Sequence, residues 1–296
     1  MIKKRKNRVK RSPSEKVVYA IMYVLLMILS LYILHYFYFA LQLATKKDSI
    51  EFTMHFASNK LATWSENFTL QHFIRAFKVL EVKNYGFIGM VINSLIYSVG
   101  SMIFSLFFHA CTTYAVNKYR FVGSKALYMM VLLTMMIPVY GALPSAFRAY
   151  KMIGIYDNWG ILITAFGGFT GGTFLIFYSF WAGVPWEYAE AGFVEGAGHF
   201  RVFFHLMLPL VLPAASVLFL TGFIGHWNEV MGIALYMPNL PTLAYGLYVY
   251  QELMRYQADQ PAYFAGILIA TIPCFLLFVI FQNTIMQTIH IGGLKG

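Results

Sequence analysis

The sequence predicts an all-α, polytopic membrane protein with six transmembrane helices. Hydrophobic residues make up 59% of the 296 and charged residues only 11%, whereas a soluble domain holds roughly a quarter charged residues. Mean hydropathy is +0.62. Apolar runs that approach or exceed the roughly 20 residues needed to cross a bilayer recur along the chain between short polar segments.

The elements follow in order. Residues 1–16 are basic, holding eight of the 22 lysines and arginines in KKRKNRVKR and Lys16. With the net charge of +10 concentrated this way, the segment reads as a cytoplasmic anchor on anionic lipid, not a nucleic-acid arm. The run 17–41 is too long for a signal-peptide core and lacks a small-residue cleavage site, so it is expected to remain as a first span with its N-terminus inside. Residues 44–86 then lie outside. This loop is mildly basic, but long translocated loops count for little in the positive-inside rule. Within it Phe73, Ile74, Phe77 and Leu80 recur at helical spacing and predict an amphipathic surface helix.

The chain therefore divides into the basic terminus 1–16, a first span with its outer loop at 17–86, and a core domain 87–296 with five further spans. The second span lies in 87–116, stopped on the inside by Asn117, Lys118, Tyr119, Arg120 and Lys125. A third occupies 126–137, with Pro138 and Pro144 interrupting its outer end. The fourth, 159–180, holds Gly167, Gly168, Gly171 and Gly172. These glycines form two overlapping small-xxx-small pairs, which favour close helix packing in lipid; alternatively the helix loosens there to line a solute path. The fifth span, 210–225, ends in Trp227-Asn228-Glu229. Glu229 is either a functional carboxylate at membrane depth or an interfacial cap that fixes the depth of the span. Residues 237–261 form an outer loop rich in Pro, Tyr and Gln, and 262–281 is the sixth span. Cys111 and Cys274 sit in separate apolar runs and suggest neither a disulfide framework nor a metal site.

Between the fourth and fifth spans, residues 181–213 gather acids, small residues and glycines. Pro185 suits a first helical position and Glu187 the first turn, where a carboxylate faces the positive end of the helix dipole. Ala189, Gly192 and Gly196 fall on one stripe of that helix, which lets another backbone come close. Gly196 and Gly198 end it, and a second short helix, 199–208, leads to Leu208-Pro209. The reading is a helix-turn-helix outside the bilayer, at about 185–209, built to dock a partner.

Glu190-Ala191-Gly192, Glu195-Gly196-Ala197 and Leu208-Pro209 resemble the EAA loop of permease subunits in binding-protein-dependent ABC importers. Gly192 stands where a second Ala is usual, and Glu195 where Asp is usual. Residues 93–121, the segment TMMIP at 134–138, Trp227-Asn228-Glu229 and the ending IGGLKG are similar to the carbohydrate, maltose-type branch of that family. The resemblance implies a type I importer transmembrane domain, with the Glu187, Glu190, Ala191, Gly192, Glu195, Gly196 and Ala197 segment as a cytoplasmic coupling helix-turn-helix. It also implies a second related permease, two ATP-binding subunits that hold ATP and Mg, and an extracytoplasmic solute-binding protein. Gly167, Gly168, Gly171, Gly172, Trp227, Asn228 and Glu229 become candidates for the translocation path. Tyr248, Tyr250, Arg255 and Tyr256 become candidates for contact with the binding protein, the other reading being a turn packed on the span ends. The expected cargo is a carbohydrate, an oligosaccharide in particular, and the expected location is the cell membrane with both termini cytoplasmic.

Searches for chemistry return negatives. No G-x-x-x-x-G-K-[ST] phosphate loop occurs, so this chain is not expected to be the ATPase, nor to hold a cofactor of its own. No H-E-x-x-H, zinc-type Cys/His spacing or G-x-S-x-G elbow occurs either. The remaining alternatives are an importer of another polar solute, and a channel or intramembrane enzyme working without an ATPase.

Overall fold

The computed structural model of the chain describes residues 12–46, 68–119, 121–137, 142–167, 171–253 and 259–292. Helix α1 (Pro13–Thr45) opens on a capping box. Ser12 Oγ accepts from the Glu15 N–H, the Glu15 carboxylate accepts from the Ser12 N–H, and Pro13 takes the first helical position. Residues 12–38 are exposed throughout, and burial begins only at the far end, where Gln42, Leu43, Ala44 and Thr45 meet the body. Apolar side chains presented on all sides of a helix need lipid or another subunit around them.

Helix α2 (Gln71–Val79) is the amphipathic element expected in the first loop, but its inward face differs from the predicted one. His72 and Ala76 are buried, with Leu80 just beyond, while Ile74 and Phe77 stay exposed. The reason is packing against α12 (Gln260–Gly292): Arg75 Nε lies 2.7 Å from a largely buried Asp259 carboxylate at the start of that helix. A minimal hairpin follows, β1 (Glu81–Val82) and β2 (Tyr85–Gly86), turned by Lys83 and Asn84.

Helix α3 (Phe87–Lys118) is the strut of the fold, because both main cores form along it. At one end Phe87, Met90 and Met102 pack with Phe223, Trp227, Leu247 and Ala265. At the other, Ala110 and Tyr114 pack with Phe177, Trp181, Val202, Phe203 and Met207. Membrane helices approach most closely at small residues, and here those are Gly222 and Gly246: a Cβ on either would meet the sulfur of Met102 or Met90 at 2.3 or 2.2 Å.

Helix α4 (Ser124–Met136) occupies the third predicted span. Its 13 residues fall short of the roughly 20 that cross a bilayer. Pro138 lies outside the described residues, and Pro144 stands in the first turn of α5 (Ala142–Met152), where proline is tolerated and starts a helix instead of interrupting one. The fourth span is a 3-10 helix (Trp159–Phe166) followed by α6 (Gly171–Gly183), the two meeting at 52°. After α7 (Glu187–Val194) and α8 (His199–Arg201), the chain runs through a π-helical segment (Val202–Met207) into α9 (Leu208–Trp227). The second short helix expected at 199–208 and the fifth span are therefore one helical run through Leu208-Pro209. Pro209 begins α9, and the bend of 66° falls at Pro213, inside the helix. Helix α11 (Leu243–Leu253) replaces part of the predicted loop 237–261, and α10 (Met231–Tyr236) precedes it.

By length and composition α1, α3 and α12 are each able to cross a membrane, and the two bent pairs raise that number to five among the described residues. With the shorter α4, all six predicted spans have an apolar helical counterpart.

Trp227 joins the last two spans: its indole N–H donates to Ala270 O at 3.0 Å while the ring is buried. Trp227→Phe keeps the packing but removes that bond between the two spans. It is expected to cost about 1 kcal/mol, read as a lowered thermal unfolding midpoint of the detergent-purified protein.

Candidate functional site

The segment that carries the docking motif is built by local rules. Trp186 caps α7, which puts Pro185 one residue ahead of the cap and not at the first helical position; the Trp186 carbonyl accepts from Ala189 and Glu190 N–H at 2.8 and 3.1 Å. At the other end Gly196 N–H donates to Phe193 O at 3.0 Å and Ala197 N–H to Gly192 O at 2.9 Å, with Gly196 at φ +84°. That pair of bonds around a left-handed residue is a Schellman closure, so Gly196 ends the helix as its sequence position suggested.

The small-residue stripe does not point where a docking stripe would. Ala189 and Gly192 are buried against the chain's own following segment. A Cβ on Gly192 would stand 2.6 Å from Leu206 and 3.0 Å from Val202. Bulk is excluded there so that α7 can lie on the π-helical turn, and π-turns recur at functional sites. Gly196, in contrast, has open space around it. The outward face carries Glu187, Glu190, Ala191 and Glu195 together with Tyr188, Val194 and Phe200, the last two 88% and 83% exposed. None of the three carboxylates has an ion-pair partner among the described residues. Apolar tips among uncompensated acids are more than a solvated loop requires.

This loop is fastened to α3. Tyr119 Oη and His199 Nδ1 are 2.9 Å apart, and Lys118 Nζ donates to Val184 O at 2.6 Å. Asn117 Nδ2 donates to Tyr178 O at 3.2 Å. The Trp181 ring, fully buried, lies 4.9 Å from that of Tyr114, and Phe193 4.8 Å from His199. Beside the loop, a groove of about 1050 Å³ opens between the ends of α3, α4 and α6, lined by Asn117, Lys118, Ser124, Lys125 and Trp186.

The glycine-rich stretch of the fourth span interrupts the helix. Gly171 has φ +76° and starts α6, and neither Gly171 nor Gly172 has an atom within 4 Å of where a Cβ would be. These two glycines are therefore not points of close helix packing within the chain. Gly167 ends the 3-10 helix, and Gly168 lies outside the described residues.

At the opposite end of the bundle, Glu229 Oε1 accepts from Gly232 N–H at 2.7 Å in the first turn of α10, whose N-cap is Val230. Asn228 is exposed and donates from Nδ2 to Ile224 O at 2.9 Å. Tyr248 joins Trp227 and Asn228 in lining a cavity of about 750 Å³ between α1, α9, α11 and α12. Two groups of residues that the sequence separates thus meet in one place. Tyr250 turns elsewhere and stacks on Tyr263 at 6.3 Å; burial, and then Asp259, raise its phenol above the ordinary range. Arg255 and Tyr256 lie outside the described residues. Sequence reading did not single out Gln251 and Tyr263, which line the same cavity; a tyrosine–amide pair twelve residues apart leaves no periodic signal.

Several apolar helices, joined through a fastened acidic loop, define a multi-pass membrane protein. Residues 110–290 match the family described as "Binding-protein-dependent transport system inner membrane component", and the chain belongs to it. It is similar to the diacetylchitobiose uptake system permease protein of Streptomyces coelicolor, 27% identical over 69% of this chain and 68% of that one. The maltodextrin transport system permease protein of Bacillus subtilis is 29% identical over 79% of this chain and 83% of its own length. The galactooligosaccharides transport system permease protein of the same organism is 28% identical over 77% and 81%. A solved structure of a bacterial ABC transporter that imports the acidic polysaccharide alginate has a chain of the same fold. Its TM-score is 0.73 at 19% identity, covering 93% of this chain and 99% of that one.

Proposed function

We propose that the chain forms one half of the pore of an ATP-driven importer for a carbohydrate, an oligosaccharide in particular, handed over by an extracytoplasmic binding protein. The observation that carries this reading is the outward face of the α7–α8 segment, where Tyr188, Val194 and Phe200 stand exposed among Glu187, Glu190 and Glu195 on a loop locked to α3. The relatives named above, which handle oligosaccharides by their names, support the choice of cargo.

In this reading the loop docks on an ATP-binding subunit, and a second related permease supplies the other half of the pore. Two ATP-binding subunits hold ATP and Mg, so this chain needs no cofactor. The N- and C-termini and α7 are cytoplasmic; α2, α5, α10 and α11 face outside, where Tyr250, Arg255 and Tyr256 meet the binding protein. When ATP closes the two ATP-binding subunits, the loops are drawn together. The motion enters α9 through the π-helical turn, because His199 to Trp227 is a continuous helical run, and reaches Asn228 at its far end. The bend at Pro213 sets the direction of that lever. Pro213→Ala, which removes the cause of a bend, is expected to lower solute uptake per ATP hydrolysed while the ATP-binding subunits stay attached.

Two measurements test the reading. Purification through a tag on this chain should bring down a stoichiometric ATPase; its consistent absence would favour a channel. In a background lacking Cys111 and Cys274, a cysteine at exposed Lys83 should react with an impermeant thiol reagent in intact cells, and one at Gly198 should not. The reverse labelling would invert the topology and remove the loop from the ATPase side.

A further inference from the structure

We propose that the cavity between α1, α9, α11 and α12 is a subsite for one sugar ring, formed by Tyr248, Asn228 and Gln251 over a floor made by Trp227. The proposal rests on the carbohydrate reading above and names where on this chain the cargo is held. The cavity volume, about 750 Å³, falls within the roughly 300–1,000 Å³ of small-molecule sites, which combine mostly apolar and aromatic walls with a few placed polar groups.

The chemistry of the lining fits a pyranose better than an acyl chain. A sugar ring offers an apolar face of C–H groups and an equatorial rim of hydroxyls, each both donor and acceptor. Tyr248 is 39% exposed and has no hydrogen-bond or ring partner among the described residues, so its face is free to stack. The two amides are held in complementary states. Asn228 commits Nδ2 to Ile224 O at 2.9 Å, which leaves Oδ1 as an acceptor. Gln251 accepts the Tyr263 O–H on Oε1 at 3.1 Å, which leaves Nε2 as a donor. One amide receives a hydroxyl proton and the other gives one. An acyl chain would gain nothing from either, and would make a fixed amide costly to cover. Trp227, buried and bonded to Ala270 O, is a positioning residue here: it holds the end of α9 in place under Asn228. The cavity and the docking loop thus lie at the two ends of one helical run, so closure of the ATP-binding subunits would displace Asn228 from Tyr248 and Gln251 and open the subsite.

The test uses the complete transporter, with its ATPase and binding protein, in liposomes. Uptake of radiolabelled maltotriose and N,N′-diacetylchitobiose is measured at saturating loaded binding protein, alongside stimulated ATP hydrolysis. Tyr248→Leu and Gln251→Leu are expected to cut uptake about tenfold, the effect of losing a stacked ring or a paired amide. Stimulated hydrolysis should remain within about twofold, a factor worth only about 0.4 kcal/mol. Tyr248→Phe, which keeps the ring, should import almost as well as the parent. If Leu at position 248 serves as well as Phe, the cavity is an apolar or lipid-filled space and the subsite is wrong. If hydrolysis falls in parallel with uptake, Tyr248 acts in binding-protein contact or structure instead. If the parent transporter takes up neither sugar but imports another solute, the carbohydrate reading fails and the subsite with it; normal parental uptake with unaffected variants rejects the subsite alone.

Discussion

Gly196→Leu is expected to abolish coupled uptake while the protein still inserts and folds. Gly196 closes α7 at φ +84° with no atom within 4 Å of a built Cβ. Inside this chain a larger side chain therefore meets nothing. Any L-residue other than glycine carries a backbone penalty of about 1–2 kcal/mol in that conformation, and Ala bears it as fully as Leu. Gly196→Ala thus isolates the backbone term and should leave most uptake in place. Leu adds bulk that only a docked partner can feel, so uptake should fall by well over about tenfold, a loss of more than about 1.4 kcal/mol at the interface, and ATP hydrolysis should no longer respond to loaded binding protein. Equal behaviour of the two variants would mean that strain, not docking, sets the requirement for glycine. Glu190→Ala should be milder than Gly196→Leu if close approach outweighs charge.

Gly192→Leu should act from the opposite side of the same helix. Its Cβ would stand 2.6 Å from Leu206 and 3.0 Å from Val202, so four added carbons must lift α7 off the π-helical turn. Overpacking of this kind costs about 1–3 kcal/mol. The expected result is a transporter that retains its six apolar helices but loses most of its ATPase subunit on purification, since the outward face is no longer presented at a fixed angle. Gly192→Ala should be nearly silent, because Leu206 is itself 41% exposed and can swing its terminal methyl aside. A silent Gly192→Leu would show that α7 is not held against the following segment in the working protein.

How much of this was legible in the sequence depended on whether the cause was local. The ending of α7 at Gly196 follows from residues within a turn of each other and was read directly; the capping box at Ser12 is as local but emerged only in the structure. The face of α7 could not: Ala189 and Gly192 form a small stripe whether that stripe meets a partner or, as here, Val202 and Leu206. The glycines of the fourth span drew attention because they cluster, yet close packing falls on the scattered Gly222 and Gly246, each opposite a methionine more than a hundred residues away. Helix α11 was read as loop because the segment 237–261 is rich in Pro, Tyr and Gln, although Leu243 and Leu247, one turn apart, are both buried in the helix it forms. The cavity depended on the same long-range placement. Asn228 and Tyr248 were both visible as candidates, but only the fold brings them together across α9 and α11.

The most direct test of the account is site-specific photo-crosslinking from position 194, where Val194 is 88% exposed at the tip of α7, in the complete transporter in native membranes. The account predicts one dominant adduct with the ATP-binding subunit, strengthened when ATP hydrolysis is trapped and lost in Gly192→Leu. An adduct with lipid or with the extracytoplasmic binding protein would contradict it.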